Sequence, residues 1–309
     1  MLMDRYNTRT TREIRVKRQC FTGRTAVRPD QGFTLIELLI VIAIIALLAG
    51  LLLPALSGAR QRGLSAVCIS QMHQLQIAFQ MYAHDNQDVV PKCSGESFQG
   101  QTPEKPSWCA GTMGYETGTN PNILHSDATN TWLIINAPYG SIGPYTQNAK
   151  LYHCPGDTSY IELGGKRHLR VRSYAQNQRV GFSHIYGDPE WRGFSFHTTL
   201  QRLAEVGASR IIVYGEPHED DLTGDFFFVG DLPNQWVFGD LKWGTPPTSR
   251  HNRRGSFSFA DGHVEMHRWL DPRTCQPGRR MFQYGYVFGE GSNVDIKWMN
   301  DHVAVPLFQ

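Results

Sequence analysis

Gly32-Phe33-Thr34-Leu35-Ile36-Glu37 opens an apolar run that continues to Leu56. From Phe33 to Leu53 nearly every residue is apolar, and Glu37 is the only charge. About 20 such residues is what an α-helix needs to cross a hydrocarbon core of roughly 30 Å. A carboxylate one turn into that helix is costly in lipid, where it must take up a proton or meet a cation. It therefore reads as functional. The stretch divides the chain into a segment before it, a helix of membrane length and a domain beyond.

The preceding residues carry Arg5, Arg9, Arg12, Arg15, Lys17, Arg18, Arg24 and Arg28 against Asp4, Glu13 and Asp30. Basic residues ahead of an apolar helix hold their side of the membrane in the cytoplasm, so the rest of the chain is expected outside it. The net charge of +2 over 309 residues argues against nucleic acid as a partner. An ordinary secretory signal is cut after its apolar region, at small residues. Here the processing point stands before the run, between Gly32 and Phe33.

Those residues, in that order and with Pro54 further along, resemble the class III signal of type IV prepilins and type II secretion pseudopilins. The resemblance implies cleavage after Gly32 by a prepilin peptidase and methylation of the new N-terminal Phe33. It implies that Glu37 makes the assembly contact, pairing with the terminal amine of a neighbouring pilin or pseudopilin. Cys68-Ile-Ser-Gln-Met-His-Gln-Leu-Gln-Ile-Ala-Phe-Gln-Met-Tyr-Ala-His-Asp-Asn86 narrows the likeness to large-headed pseudopilin-like proteins of planctomycete and verrucomicrobial-type bacteria. So does Cys154-Pro155 before Arg172-Ser173-Tyr174. His251, followed after nine residues by Asp261-Gly262, resembles a motif near the C-terminus of the same proteins.

Beyond the membrane-length stretch, Val67, Met72, Leu75, Phe79 and Tyr82 recur at helical spacing, with Gln71, Gln74 and Gln80 on other faces. The helix is expected to run to Asn86, to be open to kinking at Gly50 and Pro54, and to end before Pro91. Residues 92–150 are rich in Gly, Pro, Ser, Thr and Asn and predict irregular structure, with one ordered piece at Thr131–Asn136. A short helix is expected at 198–206 and a buried strand at Arg210–Gly215. His218–Asp225 is dense in acids, but its spacing fits no EF-hand and it reads as a solvated loop. Phe257 and Phe259 alternate with Ser256 and Ser258 before Asp261-Gly262, the pattern of a β-hairpin.

Of six cysteines, Cys20 lies in the leader. No close pair of the zinc-ribbon kind is present, so neither a structural zinc nor any other metal or cofactor is expected. An oxidising compartment permits disulfides. By the resemblance, Cys68 and Cys154 are a candidate pair, whose closed loop would contribute about 4 kcal/mol. Cys93 and Cys109 are a second, local candidate, and buried free thiols are the alternative for all four. His251, Asp261 and His263 have no nucleophile motif beside them, so catalysis is not expected. His251 is expected to serve structure, capping the turn through Asp261 or backbone.

The expected organisation is a basic leader at 1–32, a transmembrane and filament-core segment at 33–56, a second helix half at 57–88 and a head at 89–309 with the hairpin at 251–270. The fold class is α+β and pilin-like: a long helix packed on a mainly antiparallel sheet with irregular insertions. The expected function is structural, a subunit held as a single pass in inner-membrane lipid, N-terminus cytoplasmic and head periplasmic or on a surface filament. It would assemble into a type II secretion or type IV pilus-like filament. Two alternatives belong to other classes. One is a glycan-contacting surface module, for which Trp108, Trp132, Trp191, Trp236 and Trp243 would have to be exposed. The other is an anchored hydrolase using the histidine-rich C-terminal half.

Overall fold

A computed structural model describes residues 34–93, 107–115, 125–181, 196–227, 243–280 and 293–303. The chain divides into two units, Met1–Leu53 and Pro54–Gln309. Helix α1, Leu35–Asp85, contributes residues to both.

In the first unit the side chains of α1 are exposed throughout, Leu35 at 79% and Leu51 at 71%. An 18-residue window of the helix reaches a mean hydropathy of 3.0. Burying each such Leu or Ile is worth roughly 1.5–3 kcal/mol, so this surface demands lipid or neighbouring helices. Gly50 and Pro54 do not interrupt the helical assignment.

In the second unit α1 turns amphipathic. Cys68, Met72, Leu75 and Phe79 lie at intervals of four, three and four residues and are fully buried, while Val67, one position off that face, is half exposed. The helix ends one residue before the expected Asn86, where Gln87 and Asp88 take positive φ and Asp88 N–H bonds the Ala83 carbonyl.

The central sheet has the order β5-β3-β4-β6-β7. Its strands are β3 (Ala175–Asn177), β4 (Ile212–Gly215), β5 (Phe226–Phe227), β6 (Arg254–Phe259) and β7 (Val264–Arg268). All neighbours pair antiparallel except β3 and β5. A two-stranded ribbon, β1 (Tyr160–Leu163) with β2 (Lys166–Leu169), stands apart from it. The helices α2 (Trp132–Ile135), α3 (Gly143–Thr146), α4 (Leu200–Glu205) and α5 (Val294–Val303) complete the fold. The Gly- and Asn-rich region is more ordered than its composition predicts: besides α2 within Thr131–Asn136, its described residues hold α3 and two short 3-10 turns, His125–Thr129 and Ala149–Tyr152.

Strand β6 explains the architecture. Its alternation sends Phe257 and Phe259 into a core with Ile212, Trp269 and the α5 residues Ile296, Met299 and Val303. Its opposite face carries Ser256 and Ser258, also fully buried, against α1. A second core gathers there around Met72, Leu75, Phe79, Val213 and Tyr214. Val213 and Tyr214 join the same core despite being consecutive because the register shifts between Ile212 and Tyr214. Small hydroxyl side chains at 256 and 258 let the helix approach the sheet closely.

The fold is thus α+β and pilin-like, a long N-terminal helix with a mainly antiparallel sheet.

Candidate functional site: a capped signal helix and a buried thiol, carboxylate and imidazole cluster

The expected leader and cleavage point lie outside the described residues, since Gly32 and Phe33 precede Thr34. From Thr34 the geometry is defined. Thr34 N–H and Oγ1–H donate to Glu37 Oε2 at 2.9 and 2.8 Å, and Glu37 N–H donates back to Thr34 Oγ1 at 3.2 Å. This is a capping box, which satisfies backbone donors that every helix start leaves open. A carboxylate here also meets the positive end of the helix dipole. Both partners lie downstream of the Gly32-Phe33 bond, so cleavage there leaves the box whole.

The C-terminal motif separates into two places. Asp261 and Gly262 form the β6–β7 turn: Gly262 has a φ of +100°, and Asp261 Oδ1 accepts from His263 N–H at 3.1 Å and meets His263 Nδ1 at 2.6 Å. The structure does not bring His251 to Asp261, and the expected turn cap is replaced by other partners. His251 is 1% exposed, with Nε2 3.1 Å from Cys154 Sγ and 3.4 Å from Glu216 Oε1. Its Nδ1 lies 3.3 Å from Ser65 Oγ on α1. The segment from His251 to Gly262 therefore lies along the helix: His251 meets Ser65, Ser256 meets Cys68, Ser258 donates to Gln76 Oε1, and the turn sits beside Gln80.

Four side chains converge at the first of these contacts. The Sγ atoms of Cys68 and Cys154, a carboxylate oxygen of Glu216 and a ring nitrogen of His251 lie within 4.8 Å of one another, all buried. Cys68 Sγ is 3.3 Å from Glu216 Oε1 and 3.1 Å from Ser256 Oγ. Ser256 N–H holds Glu216 Oε2 at 3.0 Å. Gly156 N–H donates to Cys154 Sγ at 3.4 Å. Burial opposes the charge on Glu216, but the hydrogen bond and charge of His251 outweigh it and hold the carboxyl at about 2. Burial likewise opposes the imidazolium, yet Cys154 and Glu216 push His251 up to about 10. Cys154 is pushed up, first by its hydrogen bond with Cys68 and then by burial. His251 and Glu216 thus each favour the other's charged form, and the Cys68 hydrogen bond and burial disfavour a thiolate at Cys154.

The two cysteines that the resemblance pairs are neighbours, but as free thiols with different third partners rather than a disulfide. Cys93 and Cys109 are also free and fully buried. Burial pushes both thiols up, which leaves them unreactive. Close cysteine spacing does not find this cluster. Cys68 and Glu216 are 148 residues apart, and Cys154 and His251 are 97 apart. Glu216 sits at the exit of β4 and carries no sequence signal. The hint was that Cys68, Cys154 and His251 all fall on positions of the resemblance.

The acidic loop is not solvated. His218, Asp220 and Asp225 are buried, and Asp220 accepts from the backbone N–H groups of Arg279 and Arg280 at 2.6 and 2.8 Å. Trp108 and Trp243 are core residues. Trp132 is half exposed and leans on Tyr139 at 5.0 Å, whereas Trp191 and Trp236 lie outside the described residues. Sequence reading also missed Arg172, a fully buried guanidinium that donates to the carbonyls of Tyr174, Gly111 and Gly224.

Residues 27–53 match the prokaryotic N-terminal methylation motif. Over 60 residues of the N-terminal region the chain is 48% identical to the type IV wide pilus major component PilA4 of Thermus thermophilus. That stretch is 19% of this chain and 46% of the relative, so the chain spans about half the length of the curated relative it matches. No solved structure matches. The methylation motif runs straight into the exposed apolar half of α1, and the chain is prepilin-like in this region.

Proposed function

We propose that this chain is a pilin- or pseudopilin-type structural subunit rather than an enzyme. Prepilin peptidase removes residues 1–32 and Phe33 is methylated. The apolar half of α1 holds the subunit as a single pass in the inner membrane, N-terminus cytoplasmic and head outside. In assembly that half exchanges lipid for the helices of neighbouring pilins or pseudopilins, so apolar burial is conserved as the subunit moves. The supporting observation is the match at residues 27–53 with Glu37 one turn into an uncovered apolar helix. In a filament Glu37 meets the amine of a neighbouring Phe33, a cation created only by cleavage. The filament is of the type IV pilus or type II secretion kind.

Intact mass and N-terminal sequencing of the protein from its native host test this reading. The expected species begins at N-methylated Phe33, and Gly32→Leu leaves the leader attached and the subunit in the membrane fraction. An unprocessed N-terminus in the wild type, or sheared filaments that lack the protein, overturns the proposal.

A further inference from the structure

The geometry points to a second, unassigned site: we propose that Cys68, Cys154, Glu216 and His251 bind one zinc-class divalent metal ion inside the head. Four donors of the types zinc prefers, two sulfurs, one imidazole nitrogen and one carboxylate oxygen, are all buried. Tetrahedral bonds of about 2.0–2.3 Å place neighbouring donor atoms roughly 3.3–3.8 Å apart. Here Cys154 Sγ to His251 Nε2 is 3.1 Å, Cys68 Sγ to Glu216 Oε1 is 3.3 Å, and Glu216 Oε1 to His251 Nε2 is 3.4 Å. Opening the closest of these contacts by a few tenths of an ångström, and drawing in donor pairs that lie up to 4.8 Å apart, admits the ion.

The surroundings orient the donors as metal ligands require. Ser65 Oγ donates to the Gln61 carbonyl at 2.9 Å, so it accepts from His251 Nδ1–H and leaves Nε2 to face the cluster. Ser256 N–H fixes Glu216 Oε2, while Oε1 is the oxygen that also meets Cys68 Sγ, and both oxygens lie 3.4 Å from His251 Nε2. Ser256 Oγ and Gly156 N–H are donors for the two sulfurs once these are thiolates. A side chain at residue 156 would sit 3.3 Å from the His251 ring and 3.6 Å from Cys154 Sγ, so glycine keeps that flank clear. As ligands both sulfurs are thiolates and the imidazole is neutral; their protons pass to solvent, and no electron is transferred. With four protein ligands and no open position the ion is structural. It ties α1 to three other segments of the same unit: the turn at Cys154, the exit of β4 and the start of β6.

The test is metal analysis of the full-length protein in detergent, purified under reducing conditions after growth with zinc, followed by exchange to cobalt(II). The expected results are about one metal per chain, a thiolate-to-cobalt charge-transfer band with the intense ligand-field bands of a tetrahedral centre, and a lower melting temperature after chelation. Cys68→Ser and Cys154→Ser lose the ion and the band, while Cys275→Ser, which alters a thiol outside the cluster, keeps both. Because the Cys68 and Cys154 variants could misfold, the cobalt spectrum of the wild type decides by itself. Wild-type protein that takes up no cobalt, or takes it up without a thiolate band, overturns the proposal. So does a Cys68–Cys154 disulfide in protein isolated from the native host.

Discussion

Thr34 and Glu37 are each other's hydrogen-bond donors and acceptors across the first turn of α1. The same carboxylate is the group proposed to meet a neighbour's amine, so assembly has to compete with a local cap. Glu37→Gln keeps an acceptor for Thr34 but removes the charge, and Thr34→Ala does the reverse. Filament yield after shearing is expected to collapse in Glu37→Gln and to hold in Thr34→Ala. Yield that holds in Glu37→Gln and collapses in Thr34→Ala would mean that capping, not charge, is what assembly requires.

Arg172 spends its guanidinium on three carbonyls from three different segments, with no exposure to water. Arg172→Met leaves those acceptors buried and unpaired, at about 1–3 kcal/mol each where water cannot enter. The expected loss is at least about 3 kcal/mol, read from denaturant unfolding in detergent. A loss under about 1 kcal/mol would show that the loop at Gly111 does not depend on this side chain.

Gly262 turns the β6–β7 hairpin at a φ of +100°, and a Cβ there would come within 3.3 Å of Gln80 Nε2. Gly262→Ala is expected to cost about 1–2 kcal/mol through backbone strain alone. Pairing it with Gln80→Ala separates the two causes. If the second change restores the melting temperature, the contact with α1 dominates over the backbone.

His267 stacks on Trp298 with ring centroids 3.5 Å apart, and burial lowers it to about 4. Asp295 opposes that shift, His302 adds to it, and Glu265 stands 4.0 Å from Nδ1. An unfolded histidine titrates near about 6.5, so the unfolded chain takes the proton first as the pH falls. The contribution is whole above about 6.5, declines between there and about 4, and is flat below. It amounts to about 2–3 kcal/mol for a ring 19% exposed. His197, which burial also lowers to about 4, adds to the same trend. His267→Phe is expected to flatten the fall in melting temperature between pH 7 and pH 4. An unchanged slope would place the acid sensitivity elsewhere.

The elements that local patterns describe were readable before the structure. The intervals that place Met72, Leu75 and Phe79 on one face, the Phe and Ser alternation of β6 and the β-branched run of β4 each depend on near neighbours. What escaped were consequences of a sheet covered on both sides. Ser256 and Ser258 are the polar partners in the β6 alternation, yet they are buried against a helix. The acids of His218–Asp225 read as a solvated loop because their partners, the amides of Arg279 and Arg280, come from far along the chain. The donor cluster escaped for the same reason, since its members meet only after α1 and β6 have docked. For α5 the available cue was Asn293, whose side chain accepts from Asp295 N–H at the start of the helix, but its apolar residues are few.

The contacts between α1 and β6 span 188 residues from Cys68 to Ser256 and 182 from Gln76 to Ser258. A chain made from its N-terminus delivers the inner face of the helix long before the strand that covers it. Until β4 and then β6 follow, Met72, Leu75 and Phe79 lack the sheet they lie on, and that stretch of helix is a surface awaiting its other half. Contacts of such long range close late and slowly. Helix α1, made early, is therefore among the last parts of the head to be secured, and a stalled or truncated chain would present it open.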